Sequence, residues 1–371
     1  MKKNTFTVNY PAIYSGTDKS TITFYEGTPD LNKIYHPGEE KNTRYFFVTD
    51  ATVGTLPCME SFIQKFDDGI AGKDSLIILG SGEKYKTMDT VLEIIKQALE
   101  HGFNRKDVFV GIGGGVICDI TAFAASIFKR GVKVEFVPTT LLAMVDASVG
   151  GKTGCDFENF KNMIGTFYPA SRLSFFPEFV QYLPENQFKS GLGEVLKTAI
   201  LFNKELFSLL KNDFEKVLNR DNDTLMKVIS ACVEAKGKIV EKDFTEQGER
   251  AFLNLGHTFG HAYETICGLG NITHGEAVAW GLGRMVALSS SKDYCLDSYK
   301  QEVFELLSKY GFDISNIPQR VRGGGIGERF IDVMKMDKKN ESSKIRVILQ
   351  KGLCETFIAE IEDKDILFVL R

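Results

Sequence analysis

The sequence predicts an α/β N-terminal domain with a parallel-rich, Rossmann-like sheet, followed by a mostly α-helical C-terminal domain. Three observations lead there. Short apolar runs alternate with amphipathic segments through the first half, a period of 3.6 takes over after Leu183-Pro184, and a glycine-rich loop joins a strand to a helix at 111–119. The boundary is drawn at 182/183, giving domains of residues 1–182 and 183–371, and 371 residues suit two cores better than one.

Segments 44–48, 75–79, 107–112, 132–137 and 172–176 read as buried strands, because each is a short apolar run bounded by polar or glycine residues. Between them, 88–101 places Val91, Leu92, Ile95, Ala98 and Leu99 at helical spacing, and 117–128 does likewise. Strand, helix, strand at this rhythm implies a parallel sheet with helices on both faces. Such sheets bind ligands beyond the carboxyl ends of their strands. Further on, 185–209, 223–240, 254–266 and 276–290 are the main helical segments, with no strand competing before about position 310. A late pair, 344–349 and 354–358, reads as a hairpin.

Composition excludes several classes. Apolar residues at 43% and charged residues at 25% are ordinary for a globular chain. A net charge of −4 offers no general attraction to nucleic acid or an anionic membrane surface, and neither is expected as a partner. No run of apolar residues is long enough to span a bilayer. Seven scattered cysteines, an odd number without a Cys-x-x-Cys pair, argue for free thiols in a reducing compartment. The first ten residues lack the apolar core of an export signal, so a cytoplasmic location is expected.

The loop Gly111-Ile-Gly-Gly-Gly115-Val-Ile-Cys-Asp119 follows a strand and opens a helix. Free amides at a helix N-terminus attract phosphate, and glycine lets a pyrophosphate approach the backbone. It is no proper dinucleotide fingerprint, since Val116 occupies the third glycine position. Asp119 is placed either to accept from a ribose or to favour the first turn of its helix. Thr139-Thr140 and the segment Gly80-Ser-Gly-Glu83-Lys-Tyr-Lys86 lie at two more strand ends. Three polar loops at adjacent strand ends favour a dinucleotide cleft.

Three of the five histidines, His257, His261 and His274, fall within a short stretch, and Glu194 lies upstream. One carboxylate, two imidazoles and an open position suit a catalytic divalent metal such as zinc. His257 and His261 are four apart and share a helix face, one as ligand and one as hydrogen-bond donor to a substrate. An i,i+4 pair also arises by chance, but Gly256 and Gly260 frame this one, and helical glycine costs about 1 kcal/mol against alanine. Something must come close there. Lysines accompany glycines and an amide at Asp146 to Lys152 and at Lys161-Asn162. Lys197, three residues after Glu194, shares its helix face; Lys236, Arg250 and Lys338-Lys339 add positive charge. Glu246, Arg250 and Asn254 at intervals of four, running on to His257, draw one stripe toward the metal. Such a pocket suits a small substrate carrying phosphate and carboxylate.

Taken together, Gly113-Gly-Gly-Val-Ile-Cys-Asp119, Val137-Pro-Thr-Thr, Asp146-Ala-Ser-Val-Gly-Gly-Lys-Thr, Lys161-Asn-Met-Ile-Gly, Leu253-Asn-Leu-Gly-His-Thr-Phe-Gly-His and His274-Gly-Glu resemble the 3-dehydroquinate synthase family, within the sugar-phosphate cyclases. The match runs from about position 50 to 339. The resemblance implies NAD on the α/β domain and Zn2+ (with Co2+ an alternative) held by Glu194, His257 and His274. It implies NAD contacts from Asp50, Glu83, Lys86, Asp119, Thr139 and Thr140, with Gly114 and Gly115 at the pyrophosphate. Lys152, Asn162, Asn254 and His261 would hold the substrate phosphate, with Arg130 entering from the second subunit of a homodimer. Lys236, Arg250 and Lys338 (or Lys339) would take the carboxylate. Asp146, Lys161, Lys197 and Glu246 would surround the reacting hydroxyls, with Lys152 and Lys161 also near the cofactor. The implied partner is a phosphorylated sugar acid, and the implied reaction converts 3-deoxy-D-arabino-heptulosonate 7-phosphate to 3-dehydroquinate and phosphate. Departures from the family pattern fall at Cys118, Pro177, Tyr182 and Asp156-Phe157.

Three other readings compete. A related cyclase would prefer a sugar phosphate without the carboxylate, such as sedoheptulose 7-phosphate. A metal-dependent polyol dehydrogenase would accumulate NADH. A non-catalytic dinucleotide-binding module would tolerate loss of Glu194, His257 or His274.

Overall fold

The computed structural model describes residues 3–11, 17–39, 43–158, 160–268, 270–321, 323–337 and 344–371. By its internal contacts the chain divides into two units, Met1–Pro184 with Lys236–Thr245, and Glu185–Ala235 with Glu246–Arg371. The division falls at Pro184-Glu185, and the return of Lys236–Thr245 to the first unit is something a single cut of the sequence does not express.

The first unit is built on a seven-stranded sheet. Its strands are β1 (Lys3–Asn9), β2 (Lys19–Tyr25), β3 (Tyr45–Asp50), β4 (Ser75–Leu79), β5 (Val108–Gly113), β6 (Lys133–Pro138) and β9 (Arg172–Phe175), in the order β1-β2-β9-β6-β5-β3-β4. Only β1 and β2 pair antiparallel; every other neighbour is parallel. Every residue of β5 is buried, which is why the central strands read as apolar runs. Helices Met88–Glu100 and Gly115–Ile127 follow β4 and β5. Phe46, Phe47, Phe62, Phe103, Phe109 and Phe128 are all at most 2% exposed. Each such ring stabilises the core by roughly 2–3 kcal/mol.

Two hairpins escaped the sequence reading. β1–β2 forms one edge of the sheet, and β1 alternates exposed polar residues with Phe6 and Val8. The second, β7 (Lys152–Phe157) with β8 (Phe160–Phe167), stands apart as a two-stranded sheet. Its β8 strand has no buried residue, so it carries no apolar run to betray it.

The second unit is helical, as expected, apart from the hairpin β10 (Ile345–Gly352) with β11 (Glu355–Ile361). The expected single helix over 185–209 is two, Glu185–Phe202 and Lys204–Asn212. Asn203 interrupts it with an extended backbone and a side chain that accepts from the Leu206 amide at 2.9 Å. The His274–Ser291 helix starts with a capping box, Thr273 and Glu276 exchanging bonds with each other's backbone amides. Among the described residues, no helix is long and apolar enough to cross a membrane.

Candidate active site

Helix packing brings the metal-type donors together. A Cβ added to Gly193 would lie 2.2 Å from the Gly275 carbonyl oxygen, and one on Gly275 would lie 1.7 Å from that of Ser190. The Glu185–Phe202 and His274–Ser291 helices therefore meet backbone to backbone, beside Glu194 and His274. Gly260, in the His257–Cys267 helix, would meet Ala277 at 3.1 Å, and Gly256 sits at φ +81, conformationally open only to glycine at low cost. The close approach inferred from these framing glycines is real, and it is helix against helix.

At that contact the ligand atoms of Glu194, His257 and His274 all lie within 4.8 Å of one another. Glu194 is fully buried. His257 Nδ1 lies 3.2 Å from the Leu255 carbonyl, and His274 Nδ1 lies 3.3 Å from Glu264 Oε2. Their Nε2 atoms lie 3.7 and 3.4 Å from Glu194 Oε1, and with these acceptors on the Nδ1 side, Nε2 is the nitrogen each ring would offer a cation. Burial, with the Lys197 charge, holds the His257 pKa well below the ordinary imidazole value, so its ring is neutral. Burial also opposes charge on His274, but hydrogen bonds to Glu194 and Glu264 outweigh it and raise its pKa to about 10. One carboxylate and two imidazoles presented this way fit a divalent cation. His261, Glu264 and His274 form a second, overlapping set.

Glu264 is the residue that sequence reasoning missed. Its position three after His261 on one helix face was the available signal. Lys197 does pair with Glu194, as the i,i+3 spacing implied. The stripe from Glu246 to His257 is not a helix face. Glu246 lies in a loop at φ 61, Glu249–Asn254 is a 3-10 turn, and Gly256 breaks the path. Spacing of four does not align side chains where a turn holds three residues. Even so, Asn254 Nδ2 donates to Glu246 Oε1 at 2.6 Å, and Arg250 is 2% exposed.

In the first unit the expected cofactor residues gather at the carboxyl ends of the strands. Gly114 caps the Gly115–Ile127 helix without a side-chain bond, leaving its first amides to a ligand. Thr139 donates its amide to the Gly113 carbonyl at 2.9 Å, tying the ends of β5 and β6, and the Thr140 methyl sits where a Cβ on Gly114 would come within 3.1 Å. Asp50 ends β3, and its Oδ1 accepts from the Thr52 and Val53 amides and from Ser81 Oγ at 2.8, 3.1 and 2.9 Å. Glu83 is exposed on the turn after β4. Lys86 is buried and donates to Asp119 Oδ2 at 2.6 Å and Asn162 Oδ1 at 2.5 Å. Burial opposes its charge, but Asp119 outweighs that and raises its pKa. Lys236 Nζ donates to both Oδ1 and the carbonyl of Asp146 at 2.6 Å.

Lys152 and Lys161 are exposed on the β7–β8 hairpin. Arg130 is exposed beyond the C-terminus of the Gly115–Ile127 helix, at the end of the sheet opposite the glycine loop, so it does not join these residues within its own chain. Lys338 and Lys339 lie outside the described residues. Cys118 is buried behind the glycine loop, with Sγ 4.0 Å from the Gly113 carbonyl.

A parallel sheet with a glycine loop at a helix N-terminus, followed by a helical unit in which one carboxylate and two imidazoles converge, defines an α/β–α class with donors that could hold a divalent cation. A solved structure of 2-deoxy-scyllo-inosose synthase, complexed with carbaglucose-6-phosphate, NAD+ and Co2+, shares this fold with a TM-score of 0.83 at 23% identity over 99% of both chains. Within the class, residues 76–190 match the 3-dehydroquinate synthase N-terminal family and residues 191–340 its C-terminal family. The chain is 38% identical over 300 residues to the 3-dehydroquinate synthase of Dictyoglomus thermophilum, covering 81% of this chain and 82% of that one. It is also 38% identical over 333 residues to that of Buchnera aphidicola subsp. Baizongia pistaciae, covering 89% and 92%. The chain belongs to the 3-dehydroquinate synthase family and is an enzyme with that family's activity.

Proposed function

We propose that the chain converts 3-deoxy-D-arabino-heptulosonate 7-phosphate to 3-dehydroquinate and phosphate with NAD on the first unit and Zn2+ on Glu194, His257 and His274. The observation that carries the metal assignment is the convergence of those three donors with both imidazole Nε2 atoms turned to one carboxylate. Family membership carries the substrate. The NAD+ and Co2+ of the fold neighbour support a nucleotide and a divalent metal here. When bound, the metal supplies Lewis-acid polarisation of a hydroxyl and NAD a hydride acceptor that returns the hydride, so no net redox change results.

The rest falls to the protein's own side chains. Asp50, Glu83, Lys86, Asp119, Thr139 and Thr140 would orient the nucleotide, with its pyrophosphate on the amides after Gly114. Lys152, Asn162, Asn254 and His261 would hold the substrate phosphate; Lys236, Arg250 and Lys338 would hold the carboxylate. The Asn254 amide, already fixed by Glu246, needs no reordering to bind. Asp146, Lys161, Lys197 and Glu246 would move or hold protons on the hydroxyls, and the cations would stabilise enolate charge. We assign Arg130 to the site of a second subunit in a homodimer, which fits its exposure and its distance along the chain's own sheet from the glycine loop. A cytoplasmic location fits seven free thiols.

The test is phosphate release from the heptulosonate phosphate with NAD and Zn2+, run with and without a chelator. Release that stops on chelation and returns with Zn2+ is expected. No release at any metal loading, or faster turnover of sedoheptulose 7-phosphate, would overturn the reading.

A further inference from the structure

We infer that Asp156 is a positioning residue that couples nucleotide and phosphate binding in the first unit. It sets the contact between Lys86 and Asn162, given the roles proposed above for Lys86 toward the nucleotide and for Asn162 toward the substrate phosphate.

Asp156 sits at an irregularity of the β7–β8 hairpin. Cys155 pairs with Ile164 and Phe157 with Phe160, so Asp156 alone faces Lys161, Asn162 and Met163. Such a bulge takes backbone amides out of the ladder and re-aims side chains. The amide freed at Asn162 is taken by Asp156, whose Oδ1 accepts from the Asn162 backbone N–H at 2.8 Å. Asn162 is held there at φ 56, in the left-handed region that asparagine tolerates better than most residues.

The same residue fastens the other partner. The Asp156 amide donates to the Lys86 carbonyl at 2.8 Å, and Thr87 and Asp156 form a parallel bridge. Backbone and side chain of one residue thus fix Lys86 and Asn162 side by side, where the Lys86 ammonium donates to Asn162 Oδ1 at 2.5 Å. Burial opposes charge on Lys86, but the Asp119, Glu83 and Asp156 carboxylates outweigh it, so the ammonium persists. An ammonium only donates, so it must meet the oxygen end of the amide. The Nδ2 end, on an exposed side chain, is left as a donor for an anion. A nucleotide that orders Lys86 therefore orders the phosphate donor as well, and the ordering entropy is lost once rather than twice.

The test is calorimetric titration of the Zn2+-loaded full chain with inorganic phosphate, in the absence and presence of saturating NAD. Wild type is expected to bind phosphate about fivefold tighter with NAD present. Asp156→Ala keeps the backbone bond to Lys86 but loses the acceptor for Asn162, so it should abolish that enhancement and weaken phosphate about tenfold. In turnover, KM for the heptulosonate phosphate should rise by a similar factor with kcat little changed. Asp156→Asn, which retains an acceptor oxygen, should restore both. Adding Asp156→Ala to Asn162→Ala should change phosphate affinity no further, because Asp156 acts through Asn162. An NAD enhancement that survives Asp156→Ala, an Asp156→Asn variant as weak as Asp156→Ala, or additive losses in the double variant would overturn the inference while wild-type phosphate release leaves the proposed function standing. A wild type that releases phosphate but shows no enhancement would do the same, and one that binds no NAD would overturn both.

Discussion

In the first unit the candidate contacts hang from the ends of β3, β4, β5 and β6, and side chains fix one another: Lys86 grips Asp119 and Asn162, and Asp50 is held by three donors. In the second, the donors sit on helix faces, and backbone contact between helices sets their spacing through Gly193, Gly256, Gly260 and Gly275. A strand-end site tolerates change in any one loop and loses mainly the ion pair it breaks. A site set by helix contact transmits a single added methyl group to every ligand at once.

Five substitutions break or sharpen that contrast. Glu194→Gln removes the negative charge from the donor set and should lower kcat/KM by about 10³-fold, roughly 4 kcal/mol. Metal content by mass spectrometry should fall with it, and a wild-type rate without metal would refute the assignment. Gly275→Ala forces a Cβ against the Ser190 carbonyl and should cost about 3 kcal/mol in urea unfolding. Lys86→Met leaves the half-buried Asp119 carboxylate without its ammonium partner and should cost roughly 2 kcal/mol, confined to the first unit. Because the folded Lys86 pKa is raised, that contribution is complete below the ordinary lysine value of 10.5 and disappears as pH climbs past the folded one. Denaturation of wild type and variant at pH 8 and pH 11 checks the sign. Glu264→Gln loosens the His274 ring and should weaken metal affinity about 10- to 100-fold, read by competition with a chelating dye. Gly283→Ala is the internal control on the same helix as Gly275. Its Cβ would meet only Leu307 and Phe304 at 3.7 Å, so it should stabilise by about 0.5–1 kcal/mol.

The same contrast explains what could be read from sequence. The central strands were legible because β3, β5 and β6 are buried on both faces and spell continuous apolar runs. β8 was not, because every residue on it is exposed or half-buried, and Lys161 and Asn162 carry no apolar strand signal. The histidine cluster was visible as composition, since few histidines occur elsewhere in the chain. Its geometry was not. Nothing in the spacing of Glu194 and His274 says that Gly193 will touch Gly275, which is a long-range fact about two helices. The i,i+4 stripe through Arg250 failed for the opposite reason: a local rule was applied across a 3-10 turn and a left-handed glycine that abolish it.

The return of Lys236–Thr245 to the first unit governs how this chain can be recombined. A fragment ending at Pro184 would keep the whole sheet, yet lose the ammonium that binds Asp146, the Glu241 carboxylate that takes both amides of Asn9, and the Phe244 ring that packs on Tyr10 and Phe167. Chimeras that swap the N-terminal half between homologues must therefore carry ten distant residues along with it, or they will exchange a nucleotide-type scaffold missing part of its own floor.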